Sequence, residues 1–229
     1  MRENLVIIGR EIAAFFIVAA FLALMMGVVY IDVNWIHANL RETSLTETSQ
    51  EILLAIIAVL FFWQAVQRPG QRGALILTGG FYSCMLIREL DFLFDKIAHG
   101  AWIWPALATF LICVVMALRH PQQTLAGLVQ FLRNTNWQMM ATGLLIVLVF
   151  SRLFGMSALW ENLMLDGYNR MVKNMAEEVC ELLGYAFCTF SSVRYLWQTR
   201  SQPVAVTAKA DRKASVHRAE SGTSYPQMR

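Results

Sequence analysis

Long uninterrupted apolar segments dominate the pattern of this chain. Residues 12–31, 101–118 and 134–151 contain no charged side chain. Segments of this length span the hydrocarbon core of a bilayer when they are helical. Three further segments are comparably apolar and carry their charges mainly near one end. The pattern predicts six transmembrane helices, over residues 12–33, 48–66, 73–94, 101–118, 134–153 and 177–197.

The composition is typical of a membrane protein. Hydrophobic residues make up 57% of the chain and charged residues only 15%, which is too apolar for an ordinary soluble domain. The apolar segments are continuous rather than alternating, which argues against the strands of a membrane barrel. We therefore predict an all-α fold, a polytopic bundle of membrane helices in the inner (plasma) membrane, with the lipid bilayer as a partner. The sequence contains no nucleic-acid-binding motif, so nucleic acid is not expected as a partner.

The distribution of Lys and Arg predicts the orientation. If the N-terminus is cytoplasmic, most basic residues outside the spans fall on the inner side, as the positive-inside rule requires. Both termini are then cytoplasmic, and most of the 16 acidic residues lie at the extracytoplasmic ends of the helices. Residues 199–229 form a polar, basic tail, which we expect to be disordered and to contact anionic lipid headgroups.

The third predicted span carries the densest polar chemistry. Four of its residues recur at intervals of three, four and four, and a continuous helix would hold them in one stripe. They are Arg88, Asp91, Asp95 and His99. Glu89 lies on a neighbouring face. Charged side chains are costly in lipid, so the stripe is predicted to face other helices or a water-filled cavity.

Two other spans bring carboxylates to the same end of the bundle. Glu47 and Glu51 stand four residues apart at the start of the second span. Glu177 and Glu181 have the same spacing at the start of the sixth, so each pair shares one helix face. Glu178 points to a second face of the sixth span. Three helices are therefore expected to converge on an acidic pocket at the extracytoplasmic surface.

The side chains of this pocket include donors that suit a divalent metal. Carboxylates with one histidine are suitable ligands for Zn²⁺, Mn²⁺ or Fe²⁺, although no HExxH motif specifies the ion. The leading hypothesis is a pocket that binds a cation or a lipid-linked substrate, and in one form the protein is a metal-dependent membrane hydrolase. The predicted metal ligands are Asp91, Asp95, His99 and Glu177, and the predicted catalytic residues are Glu51 and Glu181.

Ion pairing is the alternative role for the same charges. Arg88 and Arg152 lie in the outer halves of predicted spans, where each needs a carboxylate partner. In this interpretation the protein is a non-enzymatic accessory or assembly subunit, with other membrane proteins as partners. A proton- or cation-coupled carrier is the third hypothesis. The residues assigned to binding or ion pairing are Arg88, Glu89, Arg152, Glu47 and Glu178.

Two connections between the spans are long enough to carry structure. Apolar residues at helical spacing predict a short amphipathic helix over residues 121–132, on the inner surface. Residues 155–176 connect the fifth and sixth spans on the outer side. We predict either an interfacial loop there or a lid over the outer ends of the bundle.

Overall fold

The computed structural model describes residues 2–36 and 44–200, and every regular element within them is helical. The all-α prediction is therefore confirmed for the described part of the chain. The helices are α1 (Arg2–Ile31), α2 (Leu45–Gln67), α3 (Arg72–Glu89), α4 (Asp91–Asp95), α5 (Ile103–Leu118), α6 (Pro121–Leu132), α7 (Asn136–Leu145), α8 (Ser151–Phe154), α9 (Ser157–Met164) and α10 (Arg170–Arg200). Short π-helical turns follow α1 (Asp32–Ile36) and join α7 to α8 (Ile146–Phe150), and 3₁₀ turns occupy Pro69–Gln71 and Leu165–Gly167.

The chain divides into two units. The first, residues 1–196, contains α1 to α9 and most of α10. The second, residues 197–229, is described only over residues 197–200, which form the last turn of α10. The predicted basic tail lies outside the described residues from residue 201 onward.

Three helical segments are long and apolar enough to cross a bilayer. They are Asn4–Asn34, Leu45–Gln67 and Asn136–Phe154. The pair formed by α5 and α6 bends by 107° at its junction and gives a fourth if it is counted as one span. α3 and α10 do not meet this criterion. Length and composition therefore support three or four spans within the described residues, where the sequence pattern predicted six.

The core of the first unit brings together residues of α2, α3 and α10. Phe61 of α2 is fully buried and stacks on Tyr82 of α3, with ring centroids 6.1 Å apart. Tyr185 of α10 is also fully buried. α1 is different, because large apolar side chains such as Ile8 and Phe16 are exposed along its length. A helix that is apolar on all sides and exposed suits contact with lipid.

Two glycines permit a close crossing of α7 and α10. A Cβ atom at Gly184 would lie 2.5 Å from Cγ2 of Val147 and 2.8 Å from the carbonyl oxygen of Gly143. A Cβ atom at Gly143 would lie 2.7 Å from the carbonyl oxygen of Gly184. The two backbones can meet this closely only because both positions lack a side chain. Small residues at helix crossings are typical of membrane bundles.

The third predicted span is wrong in one respect, because the structure divides it into two helices. α3 ends and α4 begins on either side of a break at Leu90, where φ is −83° and ψ is 19°. α4 ends at Asp95, whose carboxylate accepts a hydrogen bond from the backbone N–H of Gly100 at 2.9 Å. An aspartate that bonds the nearby backbone in this way competes with helix continuation. The predicted stripe from Arg88 to His99 is therefore interrupted.

The structure confirms the helix predicted over residues 121–132, with the same bounds. The helix packs through Thr124, Gly127 and Phe131, which are buried, and a Cβ atom at Gly127 would lie 2.9 Å from Cβ of Ala74 in α3. Leu125 and Val129, two of the apolar residues whose spacing predicted this helix, remain exposed. An exposed apolar face on a short helix is typical of a helix at a membrane surface.

The connection 155–176 is largely helical. It contains α9, a 3₁₀ turn and the first two turns of α10. Leu165 adopts a positive φ of 47° in that 3₁₀ turn. Whether this segment acts as a lid or as an interfacial loop stays a prediction.

We expect Gly184→Ala to destabilise the protein by about 1–3 kcal/mol, the usual cost of overpacking. The added methyl group would clash with a backbone carbonyl, which cannot move aside without displacing α7 from α10. Gly27→Ala is the matched control, because no atom lies within 4 Å of a Cβ at that helical position. Equilibrium unfolding in detergent measures both variants. Equal stability of the two would contradict the close crossing.

Candidate functional site

A polar cavity of about 220 Å³ lies at one end of the helices of the first unit. The side chains that line it come from α2, α3, α8 and α10 and are all charged or amide-bearing. They are Glu47, Gln50, Arg88, Glu89, Arg152, Asn174, Glu177, Glu178 and Glu181. A polar cavity among otherwise apolar helices is the natural candidate for a functional site.

The first turn of α2 is fixed at the cavity by two hydrogen bonds. Ser44 caps the helix, and its Oγ accepts a hydrogen bond from the backbone N–H of Glu47 at 2.9 Å. Ser is a preferred capping residue, and the positive end of the helix dipole favours an acidic side chain in the first turn. Gln50, one turn further on, donates from Nε2 to the carbonyl oxygen of Glu178 at 2.9 Å. The start of α2 is thereby attached to α10.

Glu181 is the most deeply buried carboxylate in the cavity, with only 8% of its side chain exposed. It forms an ion pair and a hydrogen bond with Arg152 of α8. The guanidinium of Arg88 in α3 lies 3.9 Å from the same carboxylate oxygen. A buried carboxylate is strongly unfavourable without partners. One side chain of α10 therefore requires cations from two other helices.

Both arginines have a second acidic partner. Arg88 forms an ion pair with its neighbour Glu89, whose Oε1 also accepts a hydrogen bond from the Tyr185 hydroxyl at 2.6 Å. Arg152 donates from Nη1 to Oε1 of Glu177 at 2.9 Å. Each arginine is therefore shared between two carboxylates, so the groups form a connected row rather than isolated pairs.

Lys173 completes this row at its outer end. Its ammonium lies 3.3 Å from Oε2 of Glu177 and donates to the carbonyl oxygen of Gly155 at 3.1 Å. A Cβ atom at Gly155 would lie 2.4 Å from the same Glu177 oxygen, so a larger residue there would displace the Glu177 carboxylate. Acidic and basic groups alternate, three of each, and the charges of this row balance. We call it the ion-pair row: Glu89, Arg88, Glu181, Arg152, Glu177 and Lys173.

Two acidic residues of the cavity stand outside that balance. Glu47 and Glu178 line the same space, and neither forms a salt bridge with a basic side chain in the described ranges. Oε2 of Glu178 is buried and has no hydrogen-bond partner among those residues. The Glu178 carboxylate also experiences repulsion from Glu47 and Asp32.

Asp32 lies behind Glu178, at the end of the first helix. It is 3% exposed, and its Oδ2 accepts hydrogen bonds from the backbone N–H and the hydroxyl of Thr46, at 3.1 and 2.8 Å. Its Oδ1 has no partner in the described part of the chain. We call Asp32, Glu47 and Glu178 the acidic corner. No basic side chain of the ion-pair row forms a salt bridge with any of these three groups.

Seven of the eleven predicted site residues line one cavity. They are Glu47, Arg88, Glu89, Arg152, Glu177, Glu178 and Glu181. Glu51, predicted as catalytic, is half-buried one turn along α2 and does not line the cavity. Glu181, the other predicted catalytic residue, is held by two arginines. Its assignment as a catalytic residue stays a prediction.

The predicted metal ligands do not come together in the structure. Asp91, Asp95 and His99 are absent from the cavity lining, and the His99 side chain is 98% exposed. Asp95 bonds His99 Nδ1 at 3.2 Å and caps the backbone of Gly100. Within residues 2–36 and 44–200, no group of three or more His, Cys, Asp or Glu side chains is arranged to hold a metal ion.

The sequence analysis did not single out three residues of the site, namely Asn174 and Gln50, which line the cavity, and Lys173, which pairs with Glu177 beside it. Asn174 stands three, four and seven residues before the acids of α10, so helical spacing alone places it on their face. Lys173 stands four residues before Glu177, the spacing of a helical ion pair. Gln50 lies three residues after Glu47 on α2. Each could have been found by extending the polar stripes to amides and lysine.

Comparisons of the chain with protein-family models, with curated proteins and with solved structures return no match. The role of the cavity therefore has to follow from its own chemistry. That chemistry has two parts, a charge-balanced ion-pair row and an uncompensated acidic corner.

We expect Arg152→Met to lower the free energy of unfolding by about 1–2 kcal/mol. Breaking a fully buried ion pair costs roughly 3–5 kcal/mol, but the Arg152 side chain is 44% exposed, so solvent screens part of that effect. Arg170→Met is the matched control, since Arg170 is exposed at the start of α10 and forms no salt bridge among the described residues. Equilibrium unfolding in detergent compares them. If both variants unfold alike, Arg152 does not stabilise Glu181.

Proposed function

We propose that the chain is a polytopic inner-membrane protein of six transmembrane helices, with both termini in the cytoplasm. The Lys and Arg distribution supports this orientation. Three helical segments have the length and composition of spans, and the α5–α6 pair adds a fourth. The exposed apolar faces of α1 and α5 support contact with lipid.

Burial inside the bundle explains how α3 and α10 can also span. Ser191 and Ser192 of α10 are fully buried, and Thr189 is 8% exposed. A helix enclosed by other helices does not need an apolar surface all round. The hydroxyls of Thr189 and Ser191 donate to carbonyl oxygens one turn earlier in α10. Low hydropathy is therefore compatible with a central membrane helix.

Within this protein, we propose that the cavity binds the ammonium group of a small organic cation. The acidic corner carries the proposal, because two carboxylates of the cavity, Glu47 and Glu178, have no basic partner among the described residues. Carboxylates that stay ionised in such a place require a counter-charge. A ligand cation supplies it without disturbing the ion-pair row.

The lining favours a primary ammonium over other cations. Carboxylate and amide oxygens accept hydrogen bonds, and a primary ammonium donates three. Quaternary ammonium groups are usually bound by aromatic rings, and none of the described residues that line this cavity is aromatic. A metal ion needs a compact ligand set, which the described residues do not provide. The ammonium can belong to a free amine or to an aminophospholipid, the lipid-linked form of the same chemistry.

A non-enzymatic accessory or assembly subunit is the second candidate. The ion-pair row favours it, because Glu89, Glu177 and Glu181 are engaged with cations of their own chain. Those residues then have a structural role whether or not the acidic corner binds a ligand. The hydrolase and carrier hypotheses rest on the sequence pattern alone, and no contact in the cavity adds to them.

We expect wild-type protein in detergent to bind ethanolamine, and Glu47→Gln and Glu178→Gln each to weaken binding roughly tenfold. A hydrogen bond to a charged group contributes about 1.5–3 kcal/mol, and tenfold corresponds to about 1.4 kcal/mol. Glutamine keeps the size of the side chain and removes its charge. Glu161→Gln is the control, because Glu161 is exposed on α9 and outside the cavity lining. Isothermal titration calorimetry measures all four proteins.

Titrations with phosphatidylethanolamine micelles and with Ca²⁺ or Mn²⁺ separate the sources of positive charge. Tighter binding of the lipid than of ethanolamine identifies a headgroup site. Stoichiometric metal binding that depends on Glu178 would replace the ammonium proposal with a metal site. No binding of any of these probes to a folded wild-type protein would favour the accessory-subunit candidate.

A further inference from the structure

An apolar groove of about 290 Å³ runs along α3 between α2 and α5. Ile76 of α3 forms its floor. Phe62 and Val66 of α2 form one wall, and Ile112 and Met116 of α5 form the other. Val66 is 77% exposed and Ile112 is 59% exposed, so the groove opens to the surroundings of the bundle.

Glycines of α3 hold the two walls against the floor. A Cβ atom at Gly80 would lie 2.5 Å from Sγ of Cys113 in α5, and one at Gly79 would lie 3.2 Å from the Phe62 ring. α2 and α5 therefore both pack closely on α3, and the space between them remains open. Water in an apolar groove is unfavourable, and a hydrocarbon chain fills such a groove without that cost.

One charged residue lies in this groove. Arg72 is the first residue of α3, is exposed, and forms no salt bridge with any residue of the described part. The positive end of the α3 dipole lies at the same place. A guanidinium can hold a phosphate through two parallel hydrogen bonds. The groove therefore combines a surface for an acyl chain with a group for an anionic head.

The position of Arg72 along α3 agrees with a lipid of the inner leaflet. Arg88 and Glu89 of the polar cavity stand at the other end of the same helix, about 25 Å away at the rise of an α-helix. If the cavity is extracytoplasmic, Arg72 lies at the level of the cytoplasmic headgroups. Anionic phospholipids are attracted to basic residues at that surface.

We propose that this groove is a binding site for an anionic phospholipid, with an acyl chain between α2 and α5 and the phosphate at Arg72. The inference rests on the proposed membrane insertion and does not depend on the ammonium site. The site selects its ligand by charge at one end and by shape along the groove.

Native mass spectrometry of the full chain in detergent tests the proposal, with phosphatidylglycerol and phosphatidylcholine as the two probes. We expect wild-type protein to bind phosphatidylglycerol roughly fivefold more tightly, as one arginine near an anionic headgroup contributes about that factor. Arg72→Gln should remove this preference. Arg133→Gln, which removes an exposed charge outside the groove, should keep it.

A second variant tests the groove itself. Thr109 lines it and is half-buried, so Thr109→Trp should fill the space and weaken binding of both lipids. If Arg72→Gln and Arg133→Gln change the preference equally, or if neither changes it, the proposal is wrong. Alkaline carbonate extraction of cell membranes tests the proposed membrane insertion separately. Release of the wild-type chain into the soluble fraction would contradict insertion itself.

Discussion

The buried Glu181 carboxylate sets the arrangement on which the rest of the site depends. An ionised group with so little exposure is tolerable only beside opposite charge, and Arg88 and Arg152 supply that charge from two other helices. The requirement fixes how α3 and α8 lie against α10 at this end. Buried ion pairs add little net stability compared with apolar packing, but removing one partner is costly. The ion-pair row therefore determines how α3 and α8 are positioned against α10 more than it stabilises the fold.

This arrangement explains why the cavity has two electrostatic regions. The ion-pair row neutralises its own carboxylates through Arg88, Arg152 and Lys173. Glu47 and Glu178 line the same space without a basic partner among the described residues. Carboxylates in a cleft with low-dielectric walls concentrate a negative potential there and attract cations. A structural role for the row and a binding role for the corner are thus compatible.

Much of this site follows from the sequence, because helical spacing is a local property. Glu177 and Glu181 stand four residues apart and share one face of α10, and Arg152 was predicted to need a carboxylate partner. In the structure Arg152 pairs with both, although they lie 25 and 29 residues away along the chain. The break at Leu90 was not predictable in the same way. No Gly or Pro lies at the break, which falls at Leu90 between α3 and α4. The predicted number of spans, six, also differs from the three or four that length and composition support, and hydropathy does not show which helices are buried inside a bundle.

A double-mutant cycle between Arg152 and Glu181 tests the central claim most directly. Arg152→Met, Glu181→Gln and the double variant are compared with wild type by equilibrium unfolding in detergent. If the buried carboxylate requires this arginine, the double variant is more stable than the sum of the two single effects predicts, by about 1–2 kcal/mol. Additive effects, within about 0.5 kcal/mol, would show that the two side chains do not depend on each other and would contradict the account.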